Sequence, residues 1–132
     1  LPFVFGQERD KTKIAKAVAE DLPQVLGYLE KIAPAEAFLA RELSLGDIAV
    51  AVAFANLKWA RVEPDPGRWP KTLAWVERTT LTPGLAKITG LAERLMRTPP
   101  GEHRAALADM GVALTETSVA AAAPRPGLMP LG

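Results

Sequence analysis

Ser44 and Asp47 are the two residues whose types and spacing most invite chemistry. A hydroxyl three residues from a carboxylate reads in two ways. One is a nucleophile beside its base. The other is a capping box, in which the serine oxygen accepts from the third helical amide and the carboxylate reaches back to the serine amide. The surroundings decide between them. Leu43 and Ile48 flank the pair as a hydrophobic staple, and a long apolar run follows, so Ser44 and Asp47 are expected to cap a helix. His103 is the single histidine and the chain has no cysteine. A triad or metal centre at His103 would need partners that the sequence does not place beside it, so no catalytic residue and no metal site is expected. Trp59, Trp69 and Trp75 form a candidate stacking set, but tryptophans at helical positions are more often core. Phe3 and Phe5, in the apolar run Leu1-Pro2-Phe3-Val4-Phe5, are candidates for the wall of a hydrophobic pocket or for a contact with another chain. Gly84 and Gly90 fit no phosphate-binding glycine pattern.

The elements that would position these residues are helices. Ile14, Val18, Leu22, Val25, Leu26, Leu29 and Ile32 recur at steps of three and four, one apolar face of a helix. Pro23 interrupts it, and because the stripe continues we expect a single kinked helix that Pro34 ends. A helix over 45–61 is apolar nearly all round, with Ile48, Val50, Val52, Phe54, Leu57 and Trp59. It is expected to sit at the centre of the fold, surrounded by protein, with Asn56 needing a partner if buried. Pro64-Asp65-Pro66-Gly67 is a loop. Pro70 opens a helix carrying Leu73, Trp75 and Val76. Thr82 caps and Pro83 opens the next, lined by Leu85, Ile88, Leu91 and Leu95. Glu102 to Met110 reads as one short helix. The Ala/Pro-rich stretch beyond it reads as a tail that packs on the core or on a neighbouring chain.

The fold class is therefore all-α, a bundle of about five helices, with 1–97 as the domain and 98–132 as the tail. Its 132 residues, 48% of them hydrophobic, suffice for a core without disulfides or metals. A net charge of +1, from 16 basic and 15 acidic residues, supplies no basic excess for nucleic-acid binding. The longest uncharged run, Ile48 to Leu57, is about half of what a bilayer demands, so no membrane partner is expected.

The stretch Phe38-Leu39-Ala40-Arg41-Glu42-Leu43-Ser44-Leu45-Gly46-Asp47-Ile48-Ala49 resembles the region of glutathione transferase C-terminal domains in which an aromatic-Leu pair and a capping box lead into a central buried helix. The later pieces follow in that family's order: a proline-started helix with Leu73-Ala74-Trp75 and Arg78, then Thr82-Pro83 before the last core helix. Thr82 stands where family members often have arginine, and the first helix of the helical domain is largely missing, with Leu1 to Phe5 as its end. The resemblance spans roughly residues 12 to 97.

It implies an N-terminal thioredoxin-like domain as partner, which would carry the glutathione site and the catalytic Ser, Tyr or Cys. Glutathione would be the co-substrate of the whole protein and is not expected to bind this chain. The helical domain would supply a hydrophobic co-substrate wall, with Phe3 and Phe5 part of it, in a cytoplasmic, homodimeric detoxification enzyme. Alone it would be inactive. Helical domains of this shape also serve translation factors and synthetases as non-catalytic docking modules, and that alternative stays open.

Overall fold

The computed structural model describes residues 10–116. Helices order as α1 (Lys11–Lys16), a π-helical stretch (Ala17–Asp21), α2 (Leu22–Ile32), α3 (Leu45–Trp59), α4 (Pro70–Thr80), α5 (Pro83–Met96), a 3₁₀ turn (Pro100–Glu102) and α6 (His103–Asp109). The described residues contain no named strand, so the fold is all-α. The chain divides into two compact units, Leu1–Thr82 and Pro83–Gly132.

In the first unit, α1 begins where Asp10 accepts a hydrogen bond from the Lys13 amide. Asp is a favoured N-cap, and here it starts the helix at Lys11. Pro23 then acts on the turn before it. Proline has no amide hydrogen, so the usual bond to the carbonyl four residues back is lost. The helix answers by widening, and the Leu22 amide donates to the Ala17 carbonyl, five residues back. The chain stays helical from Lys11 to Ile32. The stripe does not stay in phase, because a π turn rotates everything after it. Ile14 before it and Val18 within it are exposed, and after it Leu26 is buried while Val25 and Ile32 are exposed.

Successive contacts show that α4 runs in the same direction as α2. Gly27 faces the Trp69 ring, Glu30 accepts from the Thr72 amide, and Arg78 donates to the Pro34 carbonyl. Both α2 and α3 pack on α4. The centre of this unit is unusually polar, since the largest fully buried side chains are Trp75, Thr72, Thr79 and Asp47. The threonines are satisfied locally. The Thr79 hydroxyl donates to the Trp75 carbonyl, and that of Thr72 donates to Glu30, which burial of a hydroxyl requires.

One expectation is overturned. Helix α3 is not surrounded. Only Asp47 and Ala51 of its residues are buried, Ile48 and Phe54 are half-buried, and Val52 is 42% exposed. Its apolar circumference needs neighbours on every side, and within this unit α4 is the one that packs closely. Asn56 is exposed, so it needs no buried partner.

In the second unit α6 packs on α5. Arg94 pairs with Asp109 across them at 3.3 Å. Pro83 opens α5 as its position suggests, while the Thr82 hydroxyl donates backwards to the Thr79 carbonyl.

Candidate functional site

Two features of the first unit bear on function: a buried polar node and an open apolar groove. The node is built on Asp47, whose side chain is wholly buried. Its carboxylate accepts from the Ser44 amide (2.9 Å), the Ser44 hydroxyl, the Leu39 amide (3.1 Å) and the Trp75 indole (2.7 Å). In return the Ser44 oxygen accepts from the Asp47 amide at 3.4 Å. Both halves of the capping box are therefore present. Burial pushes the Asp47 carboxyl up, but the hydrogen bonds from Ser44, Leu39 and Trp75 more than offset it and hold it below its ordinary value. The Ser44/Asp47 pair caps α3 and ties it to the Leu39 loop and to Trp75 of α4.

A second carboxylate works alike. Trp69, the N-cap residue of α4, makes no side-chain cap bond. Glu30 of α2 replaces it, accepting from the Lys71 amide (3.0 Å), the Thr72 amide (2.9 Å) and the Thr72 hydroxyl (2.7 Å). Partial burial raises the Glu30 carboxyl, and these bonds with the Lys71 charge bring it net below its usual range. The positive end of α4 adds to the attraction. Neither the Trp75 bond nor the Glu30 cap had a local sign in the sequence, because the partners lie 28 and 42 residues apart.

The groove lies between α2 and α3, on the side of each that the other does not fill. Leu22, Val25, Leu26 and Leu29 form one wall, and Ala49, Val50, Ala53, Phe54 and Leu57 the other. Its volume is about 380 Å³, and all nine side chains are aliphatic or aromatic. That suits a non-polar occupant and offers no group to orient a charged one.

The remaining candidates separate. Trp75 is core, Trp69 is buried against Gly27 with the Arg68 guanidinium 4.7 Å from its ring centroid, and Trp59 is half-buried. His103 meets the Thr98 carbonyl at 2.9 Å through Nε2. Among the described residues no group of His, Cys, Asp and Glu is placed to hold a metal, and no helix is long and apolar enough to cross a membrane. Phe3, Phe5 and the Ala/Pro tail lie outside the described residues.

Searches of curated proteins and of solved structures return no match. A family model described as "Glutathione S-transferase, C-terminal domain" matches residues 1–88. That is two thirds of the 132 residues, and it takes in the Asp47 node, the Glu30 cap and both walls of the groove. The chain belongs to the glutathione S-transferase C-terminal domain family.

Proposed function

We propose that this domain supplies the hydrophobic co-substrate wall of a cytoplasmic glutathione transferase-like protein, beside a thioredoxin-like domain that binds glutathione and holds the catalytic group. The single observation that supports this reading is the groove between α2 and α3, open and lined by nine apolar side chains. Holding an apolar electrophile beside a fixed thiolate accelerates conjugation by proximity and orientation. The domain by itself has no activity and no affinity for glutathione, because on this reading the glutathione site and the catalytic group belong to the thioredoxin-like domain. The second reading, a docking module, draws on the exposed apolar side chains of α2, among them Tyr28 at 62%.

Titration of the chain with an uncharged apolar dye such as Nile red tests the wall. Saturable binding is expected, and Ala53→Trp, at an exposed lining position, should weaken it about tenfold, or 1.4 kcal/mol. Equal dye binding by the variant, or measurable heat on titration with glutathione, would overturn the proposal.

A further inference from the structure

We propose that the exposed face of α2 pairs antiparallel with the same face of a second copy of this chain, with Asp21 of each copy against Lys31 of the other. Spacing defines the face. Val25, Tyr28 and Ile32 follow one another at steps of three and four on α2, so they share one side of the helix. They are 55%, 62% and 40% exposed. Asp21, four residues before Val25, is already helical at φ −72 and ψ −45 and extends the same line. The order 21, 25, 28, 32 is the four-three-four step of a seam between two helices. The remaining sides of α2 are occupied or belong to the groove. Leu26 is buried, Gly27 faces Trp69 and Glu30 caps α4, while Leu22 and Leu29 line the groove, with Val25 at its border.

Charge selects the occupant. Asp21 stands at one end of the stripe and Lys31 at the other, beside Ile32. Both are exposed, and neither makes an ion pair among the described residues. An apolar stripe with a negative charge at one end and a positive charge at the other is complementary to its own copy turned end for end. With a twofold axis midway between Val25 and Tyr28, Val25 meets the partner's Tyr28 and Asp21 lies beside the partner's Lys31. Symmetry makes each of these contacts twice. Parallel pairing would instead set Asp21 on Asp21 and Lys31 on Lys31, and like charges in register repel. From Val25 to Ile32 the stripe runs about 10 Å at 1.5 Å per residue. So short a face buries less than the roughly 1,600 Å² of a standard interface. The pair is therefore weak, and its exposed charges make it sensitive to salt.

This pairing does not depend on the co-substrate reading, because it uses the side of α2 that borders the groove rather than the groove itself. Sedimentation equilibrium at low salt, on the chain and three variants, tests it. Asp21→Lys and Lys31→Glu should each raise the dimer dissociation constant about tenfold, since each reversal acts at two symmetry-related pairs. The exchange Asp21→Lys/Lys31→Asp should restore it. Asp21 makes no side-chain cap bond, so its replacement leaves α2 capped as before. A chain that is monomeric at every concentration overturns the proposal and leaves the face to a different protein. A dimer that the single reversals do not weaken, or that the exchange does not restore, overturns it as well. The direction of pairing has its own readout. The chain has no cysteine, so a spin label on Lys16→Cys reports one distance between copies. Antiparallel pairing about this axis sets the two labels about 30 Å apart at 1.5 Å per residue. A distance near the roughly 10 Å separation of packed helices would mean parallel pairing and overturn the assignment.

Discussion

The Ser44 oxygen takes part in two of the five bonds around Asp47, accepting from its amide and donating to its carboxylate, and the capping half of this is what the local spacing foretold. Replacing Ser44 with Ala removes the acceptor for the Asp47 amide and one donor to the carboxylate. The expected cost is about 1 kcal/mol, within roughly 0.5–2, read as a lower denaturation midpoint in urea. An unchanged midpoint would mean that water replaces the cap. Acid should act on the same residues. Asp47 and Glu30 are both held below their ordinary values, so below about pH 4.5 the unfolded chain binds more protons than the folded one. Their contribution is fully present above the unfolded values and is lost as pH falls through the folded ones. Asp47→Asn and Glu30→Gln should each flatten the loss of stability with falling pH, measured by denaturation between about pH 5 and 3. Parallel slopes in wild type and variants would assign the acid sensitivity to other groups. The sequence disclosed the Ser44–Asp47 half of this node because a capping box is written within four residues. The Trp75 half is tertiary, and only the fold reveals it.

At the scale of the helix, ends were more legible than surroundings. Pro34, Pro70 and Pro83 mark boundaries through their own covalent limits, and the helices begin or end beside them. Burial depends on what packs alongside, and for α3 that failed to follow from its apolar pattern. The C-termini of α3 and α6 show what a single residue type contributes. Both close with the same pair of reverse hydrogen bonds. In α3 the Arg61 amide meets the Lys58 carbonyl and the Val62 amide meets that of Leu57. In α6 the Gly111 amide meets Ala108 and the Val112 amide meets Leu107. The motif needs a left-handed residue. Gly111 takes φ 73 freely, whereas Arg61 is held at φ 59, where a Cβ crowds the backbone. Arg61→Gly should therefore raise stability by about 0.5–1 kcal/mol, the lost strain exceeding the extra freedom of the unfolded chain. Gly111→Ala should lower it by about 1 kcal/mol. Thermal denaturation of both variants checks the pair, and a destabilising Arg61→Gly would show that the arginine side chain contributes more than its backbone costs.

At the scale of the molecule, the balance of buried and exposed apolar surface among the described residues argues for association. The Leu1–Thr82 unit buries Trp75, Trp69, Leu26 and Ala51, while Val25, Tyr28, Ile32, Val52 and Leu81 remain exposed. A unit of this size has little surplus stability with so thin a core, and contiguous exposed apolar surface on soluble proteins marks contact sites. Tyr28 and Ile32 lie one turn apart on α2, so they share a face, and they stand outside the groove lining. A twofold pairing would bury that face against its own copy, as closed symmetry requires. The expected outcome is a concentration-dependent dimer in light scattering, with twice the monomer mass at high protein concentration. Tyr28→Glu places a charge at a position that is already open to water, so the fold should be unharmed while the dimer dissociation constant rises about tenfold or more, at least 1.4 kcal/mol. Ala53→Trp, in the groove, should leave the dimer intact. A chain that stays monomeric at every concentration would remove the dimer, and a dimer indifferent to Tyr28→Glu but broken by Ala53→Trp would move the interface into the groove.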